Sequence, residues 1–479
     1  MKVAIVHYHL EPGGVTRVIE NTLDSFAEYF PDNQFVVLSG RAYPGQRIQN
    51  IQVVDGLGYS SPSTSISAQF LKERMKKAAE RGLGKKPDIW HIHNHSLGKN
   101  PVLTQAVALL AEEGNPILLQ PHDFAEDGRP SNFKVLNQVY SKTYPSSPNI
   151  HYATLNHRDC TFVKKLFTQR SSQVHLLANS ISIPSDDGTE NITNPNLPEN
   201  LFLYPVRAVR RKNLGELALI AASHPEKHFA NSLGPTNPNF GKIFEKWIKF
   251  SQKLNLPISF AIGEKVNSSF QEIINHAEGI ISTSIAEGFG LGFLEPWMYQ
   301  KFLCGRNIPE ITQDFSNLGV NLDNLYTRID IDLKHLSSSK LLKPKINSVL
   351  IKYFSDYGQE LPNHATDLAY QSIVQETGVD FGRLDESFQE EIICSVLKSK
   401  VSQKDIQKQV NLEKIDKNVI QENKESVMDN FGQETYAKKV KRIYDLLLIS
   451  THEKVEYANG EDLLDLFLSP SRLNLLRTN

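Results

Sequence analysis

The chain opens on a near-continuous apolar run, "KVAIVHY", followed by "EPGGVTRVIENTLDSFAEYF", in which Val18, Ile19, Leu23 and Phe26 recur at helical spacing. The first segment reads as a buried strand and the second as an amphipathic helix. Further strands are predicted at "QFVVLSG", "DIWHIHN" and "PILLQPHDF", with the helix "PVLTQAVALLAEE" between the last two. "NIHYATLNHRDCTFVKKLF" and "QVHLLANSIS" carry the alternation to about residue 183. Strands without polar interruption, separated by helices, predict a doubly wound parallel sheet.

The segment "IPSDDGTENITNPNLPEN" has linker composition. A second half of similar character follows it. Its strands are "LFLYPVR", "PISFAIG" and "GIISTS", and its helices include "KNLGELALIAASH", "EKWIKFSQKLN" and "SSFQEIINHA". The expectation is an α/β protein of two Rossmann-like domains, residues 1–185 and 198–330, facing a cleft where ligand binds. Beyond residue 330 the chain becomes rich in Lys, Gln and Glu, with helical patches at "ESFQEEIICSVLKSK" and "YAKKVKRIYDLLLIS". Residues 331–479 are expected to form a helical extension that completes the second domain, the last helix being a candidate to cross back to the first. The mixed charges of "VSQKDIQKQVNLEKIDKNVIQENKE" read as a solvated helical hairpin.

Composition narrows the function classes. A chain of 479 residues is too long for one hydrophobic core, and a net charge of −2 gives no field for general nucleic-acid binding. No stretch stays apolar for the ~18 residues a membrane span needs. The opening run is too short to span and no cleavage site follows it, so a cytoplasmic protein is expected. Cys160, Cys304 and Cys394 stand too far apart to suggest a zinc or dithiol motif.

The densest chemistry lies in "STSIAEGFGLGFLEPW", residues 282–297. Gly288, Gly290 and Gly292 permit a sharp turn between a strand and a helix, so backbone N–H groups there can receive an anion. Glu287 and Glu295 flank the turn, about 10 Å apart at helical rise. That is roughly the reach from a sugar, across a diphosphate, to a ribose. The carboxylates then accept hydrogen bonds from hydroxyls while the amides hold phosphate.

This pattern resembles the E-x7-E motif of retaining GT-B glycosyltransferases, the sucrose-phosphate synthase and glycogen synthase-like group of family 4. The "GFGLGF" filling strengthens the likeness, and further segments match in order along most of residues 1–310. "EPGGVTRVIE" resembles the family's N-terminal glycine loop, implying that Gly13 and Gly14 face the donor. "RAVRRKN" resembles the family's diphosphate-binding pair, Arg207 and Lys212, five residues apart. "QPHDF" places His122 where the family has a histidine near the transferred sugar, and "FAIGEK" resembles the strand whose Gly263 lies near the base. "LLANSIS" resembles the segment before the interdomain linker. Pro296, where the family more often has alanine, is a departure, and so are the loosely similar "YQKFLCGRNIPEI" and residues 330–430.

The resemblance implies a metal-independent hexosyltransferase with no cofactor, moving a sugar from a UDP- or GDP-sugar to a hydroxyl of a small polar or saccharide acceptor. His122, Arg207, Lys212 and Glu287 would be catalytic. Gly13, Gly14, Arg207, Lys212, Gly263, Glu287, Gly288, Phe289, Gly290, Leu291 and Glu295 would bind donor. Arg17, His93, Asn94, Lys99 and Arg129 are candidates for the acceptor. A sugar phosphorylase on the same fold and a non-catalytic sugar-nucleotide binder are the competing readings. A nicotinamide dehydrogenase is disfavoured, because "EPGGVTRV" lacks G-x-G-x-x-G.

Three segments invite other readings. Strand alternation would put His91, His93 and His95 on one side of an extended segment, but no accompanying acids or cysteines suggest a metal. "HRD" at 157–159 lacks the other kinase motifs. "DID" at 330–332 mimics the metal-binding DxD of another glycosyltransferase fold and is assigned a structural role.

Overall fold

Val3, Ala4, Ile5 and Val6 are wholly buried on both faces of a strand, Lys2–His7, that pairs in parallel with neighbours on either side. A strand covered on both faces needs no polar alternation, which is why its sequence shows none. The computed structural model describes residues 1–60, 66–181, 196–376 and 378–478, so most of the expected linker lies outside the described residues.

Two units divide the chain. Unit 1 comprises the described parts of 1–182, 356–359 and 429–469. Its seven-stranded sheet runs, edge to edge, Ile51–Val53, Gln34–Ser39, Lys2–His7, Ile89–His93, Ile117–Gln120, Ile150–Thr154, Val174–Leu176. Every pairing in it is parallel. Chain order reverses between Lys2–His7 and Ile89–His93, which makes that pair the topological switch point, where ligands of doubly wound folds bind.

Unit 2 comprises the described parts of 183–355, 360–428 and 470–479. Its five-stranded parallel sheet runs Ile258–Ser259, His228–Leu233, Leu201–Arg207, Gly279–Ser282, Leu303–Gly305. Here the switch point lies between Leu201–Arg207 and Gly279–Ser282, paired through Phe202–Gly279 and Leu203–Ile280.

The helical extension expected for 331–479 is divided between the units. In unit 1, the helix Gln433–Ile449 buries Tyr436, Val440, Ile443, Tyr444 and Leu447 in one core with Val3, Ile5, Ile19 and Phe26. Two tyrosines on its buried face find polar partners there: Tyr436 Oη meets Thr22 Oγ1 at 2.8 Å, and Tyr444 Oη meets His91 Nδ1 at 2.8 Å. In unit 2, the wholly buried Arg306 ties the extension to the sheet. Its guanidinium grips Glu216 at 2.8 and 2.7 Å and Asp380 at 2.9 Å, while Tyr326 donates to Glu216 at 2.8 Å. Each charge in this cluster has a partner, as burial requires. The segment expected as a solvated hairpin forms the helices Lys400–Gln409 and Lys417–Phe431, and both are anchored. Ile406, Asn423 and Val427 are buried, Gln407 donates to the Ser223 carbonyl at 2.5 Å and Asn423 to the Asn321 carbonyl at 2.9 Å. Among the described residues no helix is long and apolar enough to cross a membrane.

Candidate functional site

The strand Leu201–Arg207 ends at unit 2's switch point and runs into "AVRRKN"; its neighbour Gly279–Ser282 runs into "TSIAEGFG". These two connections are stitched together. Ile285 N donates to the Arg211 carbonyl at 3.0 Å, and Thr283 Oγ1 donates to the carbonyls of Lys212 and Asn213 at 3.0 and 3.1 Å. Asn213 turns the chain with φ +50° and starts the helix Leu214–Ser223.

The stitching brings Lys212 Nζ onto Glu287 Oε1 as an ion pair, with side chains only 14% and 13% exposed. Ser284 Oγ donates to the same oxygen at 2.6 Å, which commits the serine proton. Tyr204, 2.5 Å from Ser284 Oγ, is therefore the donor to that serine. Burial pushes the Glu287 carboxyl up, but Lys212, Arg211 and the hydrogen bonds outweigh it and hold the group below its ordinary value. Desolvation pulls Lys212 down. No sequence pattern marks Tyr204 or Ser284: the first lies in a buried apolar strand, and the second is a common residue.

The three other basic residues of the segment have separate placements. Arg207 is exposed, and its Nη1 donates to the Gly234 carbonyl at 3.0 Å. Arg210 is spent on structure, gripping Glu386 at 2.6 and 2.7 Å. The Arg211 guanidinium has no hydrogen-bonded partner among the described residues, yet it acts electrostatically on both Glu287 and Lys212. Sequence alone does not separate these three arginines.

The glycine turn is real but differs from expectation. Gly290 takes φ +97°, a left-handed conformation that favours glycine. Instead of one continuous helix, a 3-10 turn, Leu291–Phe293, and a single α-turn, Glu295–Met298, follow. Pro296 has no N–H to donate back to residue 292, which interrupts the ladder. Any anion held here therefore meets local N–H groups with little helix dipole behind them. Phe289 is buried with its ring edge-on to Phe315 at 5.5 Å, so its aromatic face belongs to the core. Leu291 and Glu295 are half-buried beside the turn. Gly263 lies in a short helix, Ile262–Lys265, and not in a strand, because Ala261 turns left-handed at φ +52° and ends "PISFAIG" early. A Cβ at Gly263 would come within 3.1 Å of the Ser232 carbonyl, which gives this glycine a packing reason as well.

In unit 1, Gly13 caps the helix Gly14–Tyr29 without any side-chain hydrogen bond. A Cβ on Gly14 would meet nothing within 4 Å, and one on Gly13 only the Glu11 carbonyl at 3.8 Å. Packing within this unit thus gives neither position a need for glycine. At the same end of the sheet, His122 Nε2 lies 2.8 Å from His93 Nδ1. Asn94, at φ +56°, accepts from the backbone N–H groups of His122 and Asp123 at 2.7 and 3.2 Å. That left-handed residue ends the strand at His93, so His95 leaves the shared face and its Nε2 meets the Thr143 carbonyl at 3.0 Å. Burial pulls His122 down to about 3 and His91 and His95 to about 4, so these imidazoles are neutral near pH 7. Among the described residues no cluster could hold a metal ion.

The acceptor candidates separate in the same way. Arg129 is committed, to Asp123 at 2.5 Å and to the carbonyls of Phe124 and Asp127 at 3.1 and 3.0 Å. His93 and Asn94 are buried. Arg17 is exposed one turn into the Gly14–Tyr29 helix, and Lys99 holds its ammonium 5.5 Å over the Tyr59 ring. Neither has a carboxylate partner among the described residues.

No family model matches the chain. It is 28% identical over 342 residues to mannosylglucosyl-3-phosphoglycerate synthase from Petrotoga mobilis, a match spanning 66% of this chain and 66% of that protein's length. Among solved structures it is similar to sucrose-phosphate synthase from Thermosynechococcus elongatus, with TM-score 0.53, 14% identity, and coverage of 93% of this chain and 99% of that one. It is also similar to HepE from Anabaena in complex with UDP and glucose, with TM-score 0.52, 12% identity and the same coverages. The fold is GT-B. A third neighbour, the catalytic domain of Arabidopsis thaliana starch synthase IV bound to ADP and acarbose, agrees: TM-score 0.51, 12% identity, 93% and 99% coverage. Within this GT-B chain, the switch point of unit 2 carries both halves of the candidate donor site.

Proposed function

We propose that the protein is a retaining hexosyltransferase of carbohydrate metabolism, working in the cytoplasm and without a metal. It moves a sugar from a nucleotide diphosphate, UDP or GDP, to an acceptor hydroxyl. The observation that carries this reading is the assembly at unit 2's switch point: Lys212 paired to Glu287, Arg211 beside them with no hydrogen-bonded partner among the described residues, and the Gly288–Gly292 turn adjoining. GT-B neighbours that hold UDP with glucose and ADP with acarbose support a nucleotide donor.

The chemistry follows from where charge develops. As the sugar bond breaks, negative charge builds on the leaving diphosphate. Arg207, Lys212 and the N–H groups of Gly290 and Leu291 stabilise that charge, the work a divalent metal does in other transferases. Glu287 orients the sugar hydroxyls and Glu295 those of the ribose. The departing phosphate oxygen takes the acceptor proton, so attack occurs on the face the leaving group vacates and the anomeric configuration is kept. His122 hydrogen-bonds the sugar, and Gly13 and Gly14 let it approach the backbone.

For the acceptor, the Petrotoga mobilis relative is named for a product bearing a phosphoglycerate, an anionic group. Arg17 and Lys99 suit such an acceptor; Arg129, His93 and Asn94 position the backbone and His122.

A thermal-shift panel of UDP-, GDP- and ADP-sugars should show one donor class raising the melting point. Incubating that donor with phosphorylated and neutral acceptors should then yield an α-linked product from an α-linked donor, read by NMR. Inversion at the anomeric carbon would overturn the mechanism. Phosphate-dependent breakdown of the product would favour a phosphorylase, and donor binding without any transfer a sensor.

A further inference from the structure

We infer that His93 is a positioning residue that fixes the tautomer of His122, so that His122 carries its proton on Nδ1 and meets the sugar as a hydrogen-bond donor. The assignment of a sugar to His122 rests on the function proposed above; the tautomer itself does not.

Alternation along the strand Ile89–His93 puts the His91 and His93 side chains on one face. His93 is sealed: its exposure is 0%, the His91 ring lies against it at 4.4 Å and 29°, and the His7 ring stands edge-on at 6.2 Å and 80°. His93 Nδ1 lies 2.8 Å from His122 Nε2. Its other nitrogen, Nε2, is buried and finds no hydrogen-bond partner among the described residues.

Two arrangements could make the His93–His122 hydrogen bond. If His122 Nε2–H donates, neutral His93 must carry its own proton on Nε2, a buried N–H with no acceptor. If His93 Nδ1–H donates, His93 Nε2 keeps only a lone pair. Buried orphan donors are rarer than under-satisfied acceptors, so the second arrangement is the stable one. Both rings are neutral near pH 7, because burial depresses each of them. His122, accepting at Nε2, then holds its single proton on Nδ1.

The backbone of His122 leaves little freedom to escape this geometry. Asn94 Oδ1 accepts from its N–H at 2.7 Å and from Asp123 N at 3.2 Å, and Tyr8 Oη donates to the Asn94 carbonyl at 2.7 Å. Which nitrogen of a histidine is protonated is set by the hydrogen bond made at the other. His93 makes that bond from inside the core, out of reach of substrate.

The test is a two-bond proton–nitrogen correlation spectrum of the full chain labelled with [15N]histidine at pH 7.5, with His122 assigned through His122→Asn. The expected spectrum shows His122 protonated on Nδ1 and bare at Nε2; protonation on Nε2 overturns the inference. His93→Phe should move His122 toward the Nε2–H form and lower kcat roughly 2- to 10-fold, the worth of one net hydrogen bond, with KM little changed. His93→Asn, whose amide nitrogen takes the place of Nδ1 and can donate in the same direction, should restore most of the rate. An unchanged His122 tautomer in a folded His93→Phe protein would also overturn it. Should the Phe variant not fold, the wild-type spectrum decides alone. The expected spectrum together with no turnover on any nucleotide sugar would overturn the function proposed above and leave the tautomer assignment standing.

Discussion

Glu287 neutralises Lys212: carboxylate and ammonium meet in a largely buried ion pair whose carboxylate oxygen also accepts from Ser284. A cation assigned to a diphosphate is thus balanced by an acid assigned to a sugar before either ligand is present. Removing one partner of a buried pair leaves the other uncompensated, which costs several kcal/mol in general. Lys212→Ala should therefore lower both stability and turnover, whereas Lys212→Ala combined with Glu287→Gln should recover stability without recovering turnover. Thermal melts and steady-state rates on the wild type and these two variants separate the two effects. Recovery of rate in the double variant would show that Lys212 serves only to balance Glu287.

Arg207 provides the complementary case, since its guanidinium is exposed and among the described residues holds only a carbonyl. Arg207→Ala should leave the melting point nearly unchanged but cut turnover by ~10²-fold or more, in the range for a lost electrostatic donor. Because Arg207 and Lys212 act on one anion, the paired loss should be smaller than the product of the single losses. Near-normal turnover in both single variants with an accepted donor would refute the mechanism.

Glu295 heads the single α-turn beside the glycines. If it accepts from ribose hydroxyls, Glu295→Ala should weaken nucleotide binding by roughly 1–3 kcal/mol. Calorimetry with the nucleotide diphosphate alone checks this, and unchanged affinity would remove the ribose assignment.

The apolar runs made both sheets legible, because a strand buried on two faces has a distinctive composition; "LFLYPVR" coincides with Leu201–Arg207. Segments carrying the site were legible as well, since they follow those strands. Partnership was not. The apolar stripe of Gln433–Ile449 announces burial without saying against which sheet, and it packs in unit 1. Arg306, Glu216 and Asp380 join across 90 and 74 positions of sequence, a distance at which no local pattern can operate. Local backbone chemistry also defeated periodicity. Left-handed Asn94 and Ala261 cut short two extended runs, and Pro296 broke one expected helix.

On the proposed mechanism, in which cations and N–H groups do the work of a metal, EDTA should leave the rate nearly unchanged. Asp330 and Asp332 lie in a small antiparallel sheet, where they pair with Arg328 and Lys334. Asp332→Asn should likewise retain activity. A strict need for Mg²⁺ or Mn²⁺, together with loss of activity in Asp332→Asn, would reverse the assignment of "DID".

Stability should fall steeply on the acid side, and the sign follows from unit 1's buried histidines. Burial holds His7 and His122 near 3, His91, His95, His151 and His175 near 4, and His93 well below its ordinary value. Each is near 6.5 once unfolded. Between about pH 6.5 and these folded values the unfolded chain binds more protons, so stability is full above 6.5 and is lost on acidification. Each such group adds up to about 1.4 kcal/mol per pH unit to the slope. Glu126 opposes them. Fully buried, with Tyr140 and Tyr144 donating at 2.9 and 2.6 Å and no cation beside it among the described residues, its carboxyl is pushed up to about 7. Its contribution is full below the unfolded value near 4.5 and is lost as pH rises through 7. Burial also raises Asp159 and Glu461 of the same unit, but these three carboxyls are outnumbered by the seven lowered histidines, so the net slope is positive from pH 4.5 to 6.5. Glu126→Gln should remove the opposing contribution and leave the acid limb steeper. Trp90 belongs to unit 1, whereas Trp247 and Trp297 belong to unit 2, so a Trp247→Phe, Trp297→Phe background reports unit 1 by fluorescence. Urea melts of that background at pH 4.5, 5.5, 6.5 and 7.5 should show midpoints climbing with pH and levelling above 6.5. A flat series would mean that these imidazoles are protonated, or solvated, in the folded state.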